Sequence, residues 1–159
     1  NPMPESVKDR CTKAHEYIFL LSKSENYYYN SDAIKTPLKN GSIVRLNQNI
    51  EAQKGSNTPS KANGYMKAVE GGSKANRKSV WKITTKPYKD AHFATFPPEL
   101  PELCIKAGSR EGNIVLDPFF GSGTTGWVAQ KLRRKWIGIE LNPEYIKLAE
   151  KRFKQYELF

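Results

Sequence analysis

The sequence predicts an α/β fold with a parallel sheet, and three observations near its C-terminal end carry that prediction. Ile114-Val115-Leu116 is a short apolar run that closes on Asp117. Gly121-Ser122-Gly123-Thr124-Thr125-Gly126 follows, fits the pattern GxGxxG and runs straight into a helical pattern. Trp136-Ile137-Gly138-Ile139 is a second apolar run, and it closes on Glu140. Strand, glycine turn, helix and second strand in that order form a β-loop-α-β unit. Such a unit pairs its strands in parallel through a right-handed crossover.

Taken in chain order, residues 16–22 (EYIFLLS) form the first strand candidate. The run is apolar and aromatic, as in a strand buried on both faces. Ser24-Glu25-Asn26 supplies turn chemistry and Tyr27-Tyr28-Tyr29 returns to β-favouring residues, which predicts a hairpin at a sheet edge. Residues 35–79 change character: Lys, Asn, Gly and Ser dominate, and residues 55–64 and 70–79 have loop composition. Val80-Trp81-Lys82-Ile83 predicts a short extended segment. Residues 99–108 (ELPELCIKAG) predict a helix, with Leu100, Leu103 and Ala107 at helical spacing and Gly108 at its end. Thr124 to Arg133 predicts the crossover helix, with Val128, Ala129 and Leu132 on one face. Asn142-Pro143-Glu144 then opens a last helix, with Asn as N-cap and Pro at the first helical position. Ile146, Ala149 and Phe153 are its expected buried stripe.

Composition narrows the class. The chain has 159 residues, which suits one domain, and a formal net charge of +10. That charge is localised. Residues 1–34 carry four Lys/Arg against five Asp/Glu, residues 35–90 twelve against three, and residues 91–159 ten against eight. A basic middle third is the footprint of a nucleic-acid surface, because phosphate neutralisation supplies most sequence-independent affinity. The structural alternative is a solvated insertion kept soluble by its charge. No apolar run approaches the roughly 20 residues of a membrane span, and no secretory leader is visible. Cys11 and Cys104 form no metal-ligand spacing; they read as packing thiols in a reduced cytosol, and no metal is expected. The chain opens on Asn1-Pro2, which suggests that residues precede it.

The glycine turn lets a ligand approach the backbone, and the following helix N-terminus favours negative charge. Glu140 ends the next strand 19 residues after Gly121, where a carboxylate accepts both hydroxyls of an adenosine ribose. In dinucleotide enzymes the glycines follow the first strand almost directly. Here Asp117-Pro118-Phe119-Phe120 intervenes. An acid at the strand tip repels a pyrophosphate and suits the ammonium of an amino-acid moiety, which favours S-adenosylmethionine over NAD. Phe119 and Phe120 could wall that pocket, or simply fill the core.

These residues also carry a family resemblance. Asp117-Pro118-Phe119-Phe120-Gly121-Ser122-Gly123-Thr124-Thr125 resembles the cofactor motif of DNA amino-methyltransferases, which methylate adenine N6 or cytosine N4. Residues 136–145 (WIGIELNPEY) resemble their next motif, with Glu140 as the ribose acid. Ala91-His92-Phe93-Ala94-Thr95-Phe96-Pro97 resembles the preceding segment, which implies that His92 and Phe96 lie beside the methionine part of the cofactor. Residues 1–6 and 10–16 resemble motifs behind the target-base pocket. The matches cover residues 1–34 and 77–153 in one consistent order, and 35–76 match nothing assignable.

The resemblance implies a Rossmann-like S-adenosylmethionine-dependent methyltransferase fold, incomplete at the N-terminus. Only 19 residues follow Glu140, too few for further strands, so the remaining strands are expected upstream, as in the permuted subgroup whose catalytic half comes first. Residues 1–34 would belong to that catalytic half, 35–79 to a basic target-recognition insertion, and 80–159 to the cofactor half. The expected cofactor residues are Asp117, Phe119, Gly121, Ser122, Gly123, Thr124, Glu140, His92 and Phe96. Arg45, Lys74, Arg77 and Lys78 are the expected DNA contacts, and Lys131-Leu132-Arg133-Arg134-Lys135 reads as a solvated helix end. His15 and His92 read as structural rather than as general bases. The implied activity is methyl transfer to adenine N6 or cytosine N4 in double-stranded DNA, in the cytoplasm of a bacterial or phage-infected cell. A missing N-terminal catalytic segment or a companion restriction endonuclease is the further partner expected.

One departure matters. The family's catalytic tetrapeptide, Asp/Asn/Ser-Pro-Pro-aromatic, does not occur in this sequence; Phe96-Pro97-Pro98-Glu99 has only its prolines. In the family that loop holds the target amino group and stacks on the flipped base. The catalytic residues are therefore unassigned, and this chain is not expected to catalyse transfer alone. That leaves a non-catalytic DNA- and cofactor-binding half as the alternative, and an NAD-dependent oxidoreductase as a remote one.

Overall fold

The computed structural model describes residues 6–38, 40, 43, 74–84 and 96–156. The chain divides into two compact units, Ser31–Ser79, and Asn1–Asn30 with Val80–Phe159.

In the first unit, a 3₁₀ turn at Asp32–Ile34 leads into β1 (Thr36–Pro37), which pairs antiparallel with β2 (Lys74–Ala75). The pairing is a neck. Lys35 bonds Asp32 at 2.5 Å, and the Arg77 Nε donates to the Ile34 carbonyl at 3.0 Å. Ile34 is buried. Residues 70–79, expected as loop, therefore contain a strand. The two ends of the insertion meet where the side chain of Arg77 can satisfy a turn carbonyl, a contact 43 residues long in sequence that no local pattern encodes.

The second unit holds α1 (Glu99–Gly108), β3 (Ile114–Asp117), α2 (Thr124–Lys131), β4 (Lys135–Gly138) and α3 (Pro143–Tyr156). Helix α1 matches its predicted span. Glu99 and Glu102 complement the dipole in its first turn. Lys106 bonds Glu102 at 2.5 Å one turn on. Leu103, Ile105 and Ala107 are buried, while Leu100 is only half-buried. Strands β3 and β4 pair in parallel, Val115 opposite Trp136 and Asp117 opposite Gly138. Alternation along a strand sends Val115 and Trp136 towards α2 and leaves Ile114, Leu116, Ile137 and Ile139 exposed on the opposite face.

The core forms where α1, α2 and the ladder meet. Ile105, Val128 and Ala129 are buried together, flanked by Val115, Trp127, Leu132 and Trp136. Burying each large aliphatic side chain stabilises the fold by about 1.5–3 kcal/mol. Helix α2 ends without a glycine. The Arg134 N–H bonds the Ala129 carbonyl and the Arg133 N–H bonds that of Gln130, with Arg133 at φ 59°. This is a Schellman closure with arginine in the left-handed position that glycine usually fills. Arg134 then spans to α1, its guanidinium bonding the Ser109 carbonyl at 2.7 Å, the Ser109 hydroxyl at 3.2 Å and the Leu132 carbonyl at 2.6 Å. The basic run at 131–135 is thus more than a solvated helix end.

Other expectations are corrected. Residues 16–29 form no ladder among the described residues, and residues 16–27 are all exposed. An apolar run becomes a strand only when it pairs with a neighbour, and among the described residues this run does not pair. Tyr28, with Arg110 packed over its ring at 4.5 Å, and Asn30, whose N–H bonds the Ala107 carbonyl at 2.8 Å, anchor this arm. Residues 81–83 likewise carry no strand assignment. In α3, Ala149 is buried and Phe153 half-buried, but Ile146 is 41% exposed. Cys104 packs and burial pushes its thiol up, whereas Cys11 is exposed. No described helix is long and apolar enough to cross a membrane.

Candidate cofactor cradle

The C-terminal ends of β3 and β4 carry the acids that the sequence places there. Asp117 closes β3 and its Oδ1 accepts the Phe119 N–H at 3.0 Å, which turns the chain sharply out of the strand. The Ile139 N–H bonds the Asp117 carbonyl and the Phe120 N–H bonds the Ile139 carbonyl, each at 2.9 Å. These bonds carry the ladder past its last paired residues and bring the glycine turn against Glu140.

The two phenylalanines separate. Phe119 is 88% exposed, beside the turn. Phe120 is buried and stacks on Trp136 at 5.0 Å, which in turn stacks on Phe153 of α3 at 4.7 Å. The stack explains two glycines. A Cβ at Gly126 would stand 2.6 Å from the Phe120 ring, and one at Gly138 would strike the same ring. The third glycine of GxGxxG therefore serves helix–sheet packing. Gly121 and Gly123 serve the turn, at φ 51° and 78°. A Cβ at Gly121 would meet nothing within 4 Å, so the backbone there is open to a ligand.

Glu140 is bonded to backbone on both oxygens. Oε1 accepts the Asn142 N–H at 2.9 Å and Oε2 the Gly121 N–H at 2.7 Å. These bonds, to Asn142 first, then Gly121, with a smaller one from Leu141, hold its carboxyl below the usual carboxylate range. Desolvation and the charges of Glu140 and Glu144 push the phenol of Tyr145 up. Thr124 is buried at the start of α2, and its hydroxyl accepts from Arg152 Nη1 at 3.0 Å. That guanidinium lies 4.9 Å over the Trp127 ring. Ser122 is half-buried, and Phe96 is exposed ahead of α1.

The structure therefore brings Asp117, Phe119, Gly121, Ser122, Gly123, Thr124 and Glu140 to one end of one strand pair. His92 lies outside the described residues, as does Arg45. Lys74 and Lys78 are exposed in the Ser31–Ser79 unit, where Arg77 spends its Nε on the neck. Sequence reading missed Arg152, which reaches Thr124 across 28 residues with no local signal, and the Trp136–Phe153 stack. It also missed Tyr145, which the motif contains but whose closeness to Glu140 depends on how α3 begins.

Two acids thus stand at the ends of adjacent parallel strands, around an open glycine turn, in an α/β unit. The chain belongs to the N6/N4 DNA methylase family, whose profile matches residues 1–151. It is similar to the type II methyltransferase M.SmaI of Serratia marcescens, 46% identical over 152 residues, covering 96% of this chain and 42% of that protein. The type II methyltransferase M.XycI of Xanthomonas campestris pv. cyanopsidis is 44% identical over 154 residues, covering 97% and 41%. Among solved structures, the M1.HpyAVI–SAM complex matches with 40% identity and a TM-score of 0.42, over 48% of this chain and 39% of that one. The chain spans about two fifths of the length of the curated relatives it matches.

Proposed function

We propose that this chain is the cofactor-binding and DNA-recognition part of a site-specific DNA amino-methyltransferase of the bacterial or phage-infected cytoplasm. The complete enzyme transfers a methyl group from S-adenosylmethionine to adenine N6 or cytosine N4 in double-stranded DNA. The observation that carries the reading is the pairing of Asp117 and Glu140 around the open Gly121 turn, in a chain of this family.

When bound, S-adenosylmethionine supplies the methyl group on its sulfonium. Glu140 accepts the ribose hydroxyls. Asp117 spends one oxygen on the Phe119 N–H and keeps the other for the ammonium. Two carboxylates here also disfavour a pyrophosphate, which argues against a dinucleotide. The exposed ring of Phe119 offers apolar surface beside the turn. Lys74 and Lys78, both exposed, and Arg45 and Arg77 contribute phosphate contacts from the basic insertion. The target base must leave the duplex before its amino nitrogen can meet the methyl group. The loop that receives it is not in this sequence, and we assign it to a catalytic segment of the relative-length protein or to a companion chain. The uncovered Ile114, Leu116, Ile137 and Ile139 face supports a further layer of structure there.

Calorimetry on the relative-length protein tests the reading. S-adenosylhomocysteine is expected to bind and NADH is not. Glu140→Ala should weaken S-adenosylhomocysteine roughly tenfold or more, since a hydrogen bond to a charged group contributes about 1.5–3 kcal/mol. No binding of S-adenosylhomocysteine by the wild-type protein would overturn it.

A further inference from the structure

The acid assigned to the ribose is already engaged with the protein's own backbone. Glu140 Oε2 holds Gly121, in the turn that leaves β3, and Oε1 holds Asn142, in the turn that leaves β4. One side chain thus ties together the two segments that emerge from a parallel strand pair. An ionised carboxylate has about four lone-pair positions on its two oxygens. The two full hydrogen bonds, from Gly121 and Asn142, leave one position on each oxygen, and two is what a vicinal diol requires.

We propose that Glu140 is the positioning residue of the cradle as well as its ribose acceptor: it fastens Gly121 and Asn142 before the ligand arrives and keeps both bonds when the ribose binds. The ribose half rests on the cofactor reading above; the fastening half does not. Three observations support it. Gly121 has nothing packed above its Cα, so no side chain holds the turn from that side. Asn142 is itself the cap of α3, its Oδ1 accepting the Glu144 N–H at 2.9 Å and its carbonyl the Tyr145 N–H at 3.1 Å, so fixing Asn142 fixes where α3 starts. The two N–H groups approach different oxygens, which orients the carboxylate plane in advance and removes the ordering cost that a free glutamate side chain would pay on binding. A glutamine cannot substitute: its amide has one acceptor oxygen, and its NH₂ would face one of the two backbone donors.

The test is backbone-amide NMR on the ligand-free chain. Lowering the pH from 7 to 3 should shift the Gly121 and Asn142 amide protons together, with one midpoint below the ordinary glutamate value of about 4.3. In Glu140→Gln, amide exchange at Gly121 or Asn142 should accelerate about tenfold or more, as expected for losing one charge-assisted bond. Adding S-adenosylhomocysteine to the wild type should leave both amides protected. Separate midpoints, or equal exchange in wild type and Glu140→Gln, would overturn the fastening. Loss of protection on adding ligand would mean that ribose displaces the backbone and would overturn the sharing of the carboxylate. A wild-type protein that fails to bind the ligand at all would remove the cofactor reading and the ribose half with it, while the pH titration, which uses no variant, still decides the fastening.

Discussion

Residues 17–21 and β3 make an instructive pair. The first, Tyr-Ile-Phe-Leu-Leu, is a continuous apolar run, yet its side chains are 52–87% exposed and it pairs with nothing described. The second, Ile114–Asp117, is shorter and ends on an acid, yet it is a strand with one face packed. The difference is not composition. β3 has β4 at hydrogen-bonding distance and α2 as a lid, both delivered within a single turn-helix-turn. The arm is anchored at Tyr28 and Asn30, beyond the end of its apolar run. Burial stabilises a segment only when a complementary face exists within reach, and without one the ordering entropy is not offset. Within the cradle the same lesson recurs between neighbours: Phe120 is core and Phe119 is surface.

Substitutions that separate the two regions should show it. Phe120→Ala is expected to cost about 3–5 kcal/mol, because it removes the buried ring that stacks on Trp136 and fills the space against Gly126 and Gly138. Phe19→Ala in the arm, where the ring is 77% exposed, should change stability by no more than about 0.5 kcal/mol. Urea denaturation of both variants measures the contrast, and equal losses would mean that the arm is packed in solution. Gly138→Ala comes next, at about 1–3 kcal/mol, since the added methyl is driven into the Phe120 ring. Pairing it with Phe120→Leu should recover part of the loss if that ring is the obstacle. Asn142→Ala should cost about 1 kcal/mol by removing the cap of α3, read as a fall in melting temperature.

The smallest effect is on the acid side. The pKa of Glu140 is lowered in the folded state, so its contribution is fully present above the ordinary glutamate pKa and is lost as pH falls through the folded value. Melting curves taken between pH 6 and pH 3 should therefore fall less steeply for Glu140→Gln than for wild type. Parallel curves would mean that its backbone bonds contribute nothing to folding.

Much of the cradle was legible because its signals are local. Asp117, the glycine turn and Glu140 announce themselves by strand ends and a fixed spacing, and Asn142-Pro143 announces a helix start. The arm misled for the opposite reason: an apolar run states that burial is needed, not that a partner is present. The end of α2 was legible only approximately, because its left-handed residue is Arg133 where the pattern calls for glycine.

The sequence by itself determined the strand-turn-helix-strand order, the two acids at the strand ends and the family to which they belong, because each depends on residues a few positions apart. Only the tertiary structure decided which phenylalanine faces the core, that Arg152 reaches Thr124, that Arg77 closes the neck of the insertion, and that Glu140 holds Gly121 and Asn142. Each of those is a contact whose geometry depends on how separate segments pack, and packing is a property of faces and edges that a linear pattern does not contain.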